Sequence, residues 1–156
     1  MIVWRIASRT RAYPADDLAG AGAKITGGRW SSPGRALLYC SSSIALAALE
    51  TIVHLSQGAL PLDRFLMRVV IPGDLWQTRE TLTQATAPAD WDVRPAGLAS
   101  RQYGDRWLDA STSAVLEVPS IVVPEEYNVL VNPRHPCASS VSGAVVRPWR
   151  YDLRLR

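Results

Sequence analysis

The apolar runs of this chain are short, and almost all of them end at a proline, a glycine or a charged turn. Ile2 to Ile6, Ala36 to Cys40 (ALLYC), Arg64 to Ile71 (RFLMRVVI), Val115 to Val118, Ile121 to Val123, Asn128 to Val131 and Ala144 to Arg147 are brief, apolar and mostly β-branched, which predicts strands. One run differs. Ser41, Ser42 and Ser43 offer N-cap hydroxyls ahead of IALAALETIVHLSQG, a stretch of good helix formers with Gly58 placed as its C-cap. Residues 96 to 110 (AGLASRQYGDRWLDA) predict a second helix, in which Gly104 costs about 1 kcal/mol relative to alanine. Strands outnumber helices, so the expected class is α+β, with helices packed on twisted, mainly antiparallel sheets. No repeat, heptad or low-complexity run divides the chain, and a single domain over residues 1–156 is the simplest organisation. Residues 74 to 95 are more polar and carry Trp76, Pro88, Trp91 and Pro95; they predict a long connection that packs aromatics over a cleft.

The formal charge of +3 invites a nucleic-acid reading, but its distribution argues against one. Of 17 basic residues only Lys24 is a lysine, and the arginines are scattered among Asp and Glu instead of gathering on one element. No run approaches the roughly 20 apolar residues of a membrane span, and MIVWRIASRTR meets charge too early for a secretory signal, so a cytoplasmic protein is expected. That setting favours free thiols at Cys40 and Cys137, with one of them buried in an apolar strand.

Glu50 is the most informative residue. On a helix it falls between Leu46, Leu49 and Val53, which places a carboxylate on the face expected to be buried. Such a group needs a partner or a watery cleft; a rotated helix or a structural ion pair would satisfy it equally. Arg29 lies in TGGRWSSPGR, an irregular loop where backbone approaches a ligand closely and a guanidinium grips phosphate or carboxylate bidentately. Beside it, Trp30 is either a core anchor or a stacking surface. Tyr39, in the strand before the Glu50 helix, points into the core or across the same cleft. Ser120, between Pro119 and a second kink at Pro124, presents its hydroxyl to a ligand or satisfies nearby backbone. His54 and His135 lack a second ligand at metal spacing, so no metal site is expected. No G-x-S-x-G elbow, G-x-G-x-x-G fingerprint or Walker A sequence is present, which excludes hydrolase-elbow, Rossmann and P-loop readings.

Taken together, GGRW at 27 to 30, LLYCSSSIALAALE at 37 to 50, GDRW at 104 to 107, VPSIVVPEEYNVLVNP at 118 to 133 and RPWRYDLRL at 147 to 155 resemble the RES-domain family across nearly the whole chain and in the family's order. The positions matching the Arg, Glu and Ser of the family name are Arg29, Glu50 and Ser120; Tyr39 matches a further active-site tyrosine. Ser31 stands where an Asn often follows, and the serines at 41 to 43 replace a more acidic segment. The resemblance implies a fold related to ADP-ribosyltransferases, NAD+ as substrate with no prosthetic group, and an Xre-like helix-turn-helix antitoxin that covers the active site and brings DNA only indirectly. It also allows a homo-oligomer within that complex. Depletion of NAD+ by hydrolysis or phosphorolysis is the first expectation, with ADP-ribosyl transfer to a protein such as a phosphoribosyl pyrophosphate synthetase as the alternative. In either, Glu50 answers positive charge growing on the ribose. Arg29 clamps the pyrophosphate or a ribose hydroxyl, Tyr39 stacks on nicotinamide, Trp30 lends a further stacking surface for NAD+, and Ser120 hydrogen-bonds within the pocket. Nicotinamide leaves neutral, so this chemistry asks for no metal.

Overall fold

A computed structural model describes residues 1–54, 61–152 and 154–155. Its strands are β1 (Ile2–Ser8), β2 (Leu38–Ser41), β3 (Arg64–Val70), β4 (Glu80–Thr81), β5 (Val115–Pro119), β6 (Tyr127–Val131) and β7 (Ser142–Pro148). They form one sheet in the order β4-β5-β6-β2-β1-β3-β7, antiparallel throughout except where β4 lies parallel to β5. The helices are α1 (Ala21–Thr26), α2 (Ile44–Ile52), α3 (Gly73–Gln77) and α4 (Leu98–Ala110), with a 3-10 turn at Pro136–Ser140. The α+β class is as predicted, gathered into a single sheet.

Strand alternation sorts the core into two faces. On one face Val3, Ala7, Leu38, Cys40, Met67, Val69, Val115, Val129 and Val131 form a continuous layer. The opposite face is divided. Over β5, β6 and β2, Leu116, Val118 and Leu130 pack with Trp30, Trp91 and Trp107. Over β1 and β3, Ile6 and Leu66 pack with Ala47 of α2 and with Tyr151. The seam falls at β1–β2, whose register runs through the pair Trp4–Ser41. Tyr39, Ser41, Asn128 and Ser120 share the parity of this divided face, so polar side chains occupy the seam between its two apolar clusters.

Several local expectations change. Ile121–Val123 forms bends instead of a strand. The Ser120 hydroxyl accepts the amides of Val122 and Val123 at 3.0 and 3.1 Å, which diverts them from any ladder. Residues 74 to 95 are not one connection, because α3 and β4 occupy their first part. Trp76 there packs beside the continuous face and under the Arg79 guanidinium, while Trp91 alone joins the aromatic cluster. Gly104 sits inside α4 for a packing reason: a Cβ at that position would collide with the Trp30 backbone carbonyl, so only glycine lets the helix approach the loop. The Gly58 C-cap lies outside the described residues. No helix of the described residues is long and apolar enough to cross a membrane.

Candidate active site

The helix α2 starts where the Ser43 hydroxyl caps the Leu46 amide at 3.1 Å, a contact worth about 1 kcal/mol. Its buried side is not the expected Leu46, Leu49, Val53 stripe, since Leu49 is 37% exposed and Val53, just past the helix, is 55% exposed. The helix is rotated so that Leu46 and Ala47 face the sheet. Ser43, Leu46, Ala47 and Glu50 then follow i, i+3, i+4, i+7, and Glu50 continues the buried stripe into the seam.

Two donors hold its carboxylate. Ser120 Oγ donates to Oε1 at 2.7 Å and Asn128 Nδ2 donates to the same oxygen at 2.5 Å. Each donor is itself fixed: Ser41 Oγ donates to Asn128 Oδ1 at 2.7 Å, and the amides of Val122 and Val123 donate to Ser120. Ser120 is fully buried and Ser41 nearly so, whereas Glu50 is only half-buried. One carboxylate oxygen thus takes both side-chain hydrogen bonds given to Glu50. Ser120 acts on Glu50 and on backbone, and its hydroxyl is spent.

The loop before β2 brings in the second group. Gly28 N–H donates to the Ser31 carbonyl at 2.9 Å, closing a tight turn with Arg29 and Trp30 at its tip. A Cβ on Gly28 would lie 2.5 Å from the Tyr39 hydroxyl, so glycine there is what admits the tyrosine. Tyr39 packs with the aromatic cluster and its hydroxyl accepts the Trp30 amide at 3.0 Å, with Ser31 Oγ at 3.1 Å. Burial pushes its phenol up to about 12. The ring thus belongs to the aromatic cluster and its hydroxyl supports the arginine loop. Trp30 is 3% exposed, stacked on Trp91 at 6.2 Å and edge-on to Tyr103. It is a core anchor and shows no free face for a ligand to stack on.

Arg29 leaves the same turn toward the seam. Its Nη1 donates to the carbonyls of Trp91 (2.7 Å) and Val93 (3.1 Å), and Nη2 donates to Val93. Burial draws the guanidinium below its ordinary value, opposed by the charge of Glu50, deepened by Arg94 and opposed again by Asp92. The arginine stays charged and within electrostatic reach of Glu50. It also clasps the 91–93 loop, which Arg94 ties to the Ile121 carbonyl at 2.7 Å. Of the residues singled out from sequence, Glu50 and Ser120 meet directly, Tyr39 reaches from β2 to hold the turn that carries Arg29, and Trp30 turns away. Asn128 and Ser41 were missed. Asn128 carried a signal, because an amide inside the apolar run YNVLV is out of place in a strand. Among the described residues no three His, Cys, Asp or Glu side chains cluster to hold a metal.

The sequence matches the family described as RES domain over residues 2–154. It is 49% identical over 152 residues to the Prs ADP-ribosylating toxin of Sphingobium sp. (strain YBL2), covering 97% of this chain and 94% of that protein. It is 37% identical over 160 residues to Toxin Res of Yersinia enterocolitica, covering 100% of both. A chain of the crystal structure of the M. tuberculosis MbcT–MbcA toxin–antitoxin complex shares the fold, with a TM-score of 0.68 over 94% of this chain and 84% of that chain at 15% identity.

Proposed function

We propose that this chain, which belongs to the RES domain family, is the toxin of a toxin–antitoxin pair and transfers ADP-ribose from NAD+ to a cellular protein. The observation that carries the transfer reading is 49% identity, along 97% of the chain, to a protein named for ADP-ribosylation. Hydrolysis and phosphorolysis, the first expectation from sequence, share the same bond cleavage and differ only in the nucleophile that follows it. Transfer becomes the better-supported branch, and the branch expected first becomes the competitor.

The bond between the nicotinamide nitrogen and the ribose carbon breaks, and its electron pair leaves with nicotinamide, which departs neutral. The electron-poor ribose carbon then bonds to a heteroatom of the acceptor, which gives up its proton. Positive charge grows on the ribose during this passage. Glu50 is the group to meet it, because its carboxylate is held in place through Oε1 by Ser120 and Asn128. Preorganised electrostatic groups of this kind contribute roughly 3 kcal/mol or more to a barrier. Arg29 adds positive charge for the anionic dinucleotide and fixes the 91–93 loop beside it. Tyr39 supports the turn that carries Arg29.

The test uses NAD+ labelled in its adenylate portion, purified protein and a cell extract. Label should become covalently attached to a protein, with a phosphoribosyl pyrophosphate synthetase the first acceptor to assay, and Glu50→Gln should remove both labelling and nicotinamide release. Nicotinamide release with only free ADP-ribose, or its phosphate, as the partner product would overturn transfer. Intact NAD+ under every condition would overturn the NAD+ reading itself.

We further place this toxin in the cytoplasm with an antitoxin of the Xre-like helix-turn-helix kind seated over the seam between α2 and α4. The shared fold with a chain of a toxin–antitoxin complex supports a dedicated protein partner. Saturating antitoxin should stop turnover, and undiminished turnover in the complex would refute this arrangement.

A further inference from the structure

The seam has two banks, and the Glu50 helix is only one of them. The other is α4, which crosses the β5-β6-β2 side of the divided face. Its C-terminal end lies by Asn132, whose Nδ2 donates to the Leu108 carbonyl, and by Ser113, which accepts Trp107 Nε1. Its middle rests on Trp30 at Gly104. At the other end of α4, a Cβ on the N-cap Gly97 would meet the Val93 side chain; the Val93 carbonyl accepts Arg29, and Arg94 next to it reaches the Ile121 carbonyl beside Ser120, so the N-terminal turn of α4 lies by the loop that Arg29 clasps. That turn holds Ser100 and Arg101.

Neither side chain is paired. Ser100 Oγ is completely buried and Arg101 Nε is buried, and both lack a hydrogen-bond partner among the described residues. Arg101 enters none of the four ion pairs found there. Its nearest acid along the helix, Asp105 one turn on, spends both carboxylate oxygens on the amide and hydroxyl of Ser32 at 3.0 and 2.6 Å. The N-cap is Gly97, with no side chain to cap the first amides, and the first turn carries no acid. A positive helix end beside an unpaired, half-buried arginine is a place of unmet demand for negative charge. The Arg101 charge also reaches the Tyr39 hydroxyl, whose ionised form it favours. Arg29 by contrast has already committed both terminal nitrogens to carbonyls.

We propose that Arg101, with the first turn of α4 behind it, is a phosphate-binding residue that grips the diphosphate of the substrate from the bank opposite Glu50. The assignment rests on the NAD+ reading above for its substrate, although its ligand class is any nucleoside diphosphate. It makes Arg101 a binding residue whose contacts are present before and during the bond cleavage. Its loss therefore raises KM and leaves kcat nearly unchanged.

Equilibrium binding of ADP, which has no scissile nicotinamide bond, tests this directly by calorimetry on wild-type, R101Q and R101K proteins, with melting curves to verify folding. Wild-type should bind ADP, R101Q should bind at least about tenfold more weakly, and R101K should fall between, because lysine keeps the charge and loses the fork. Affinity should also fall as salt rises. Folded R101Q that binds ADP as tightly as wild-type overturns the proposal, and so does a wild-type protein that binds no ADP. If R101Q fails to fold, R101K decides: undiminished affinity in that variant overturns the fork contact. Failure of the enzymatic reading would appear separately, as intact NAD+ with ADP binding still dependent on Arg101.

Discussion

Replacing Ser120 by alanine removes one oxygen and touches two systems at once. The hydroxyl donates to Glu50 Oε1 and accepts the amides of Val122 and Val123 in a fully buried position. Each amide left without an acceptor costs about 1–3 kcal/mol; both are only partly buried, so water recovers some of that and the sum is about 2 kcal/mol. For a chain of this length 1 kcal/mol corresponds to about 2–4 °C, so the melting temperature should fall by about 4–8 °C. Glu50 would keep the Asn128 contact and lose its second anchor, so its aim loosens. The expected kinetic effect is a kcat lowered roughly tenfold with KM held, as for a group that is misplaced instead of removed. Glu50→Gln is the companion variant. It keeps an acceptor for both donors, so it should melt near wild-type while losing about a hundredfold or more in rate. The double variant closes a cycle: on the glutamine background Ser120→Ala should cost stability and almost no further rate. Additive losses in rate would mean that Ser120 and Glu50 act separately. A destabilised Ser120→Ala with unchanged kcat would refute the claim that this hydroxyl aims the carboxylate.

Two further outcomes follow from packing. Gly104→Ala should destabilise by about 1–3 kcal/mol or more, because the added methyl meets backbone and no side chain can swing aside; a melting temperature within a degree of wild-type would show that α4 shifts freely. The Cys40 thiol, buried in β2, is pushed up to about 12 from an ordinary value of 9.0, so the unfolded chain releases this proton first. Stability should therefore fall as pH rises from about 9 toward 12, with Tyr39 adding to the loss above 10, and a thiol reagent on folded protein should reach exposed Cys137 alone. Rapid labelling of Cys40 in native protein would contradict its place in the core.

Much of this molecule is legible in the sequence. Short β-branched runs between prolines predicted most strands, because a strand's alternation and its breakers are local properties. A serine before good helix formers located the start of α2 for the same reason. The α+β class follows from those elements alone, and the family blocks singled out Glu50, Arg29, Tyr39 and Ser120. What a linear pattern does not contain is rotation and partnership. Helical periodicity placed Glu50 on an apolar stripe but chose Leu49 and Val53 as its neighbours. Packing on β1 and β3 turned the helix so that Leu46 and Ala47 went inward and the carboxylate met two donors. Ile121–Val123 had the composition of a strand and lost its ladder to one serine hydroxyl. Trp30 was equally fit for a ligand or a core until Trp91, distant by 61 positions, came to lie against it. The free donors of Arg101 depend on where Asp105 spends its charge, and that in turn depends on Ser32 across the loop. Element identity rests on near neighbours in sequence. The functional geometry is made of contacts between residues far apart in the chain, and only the folded sheet brings those together.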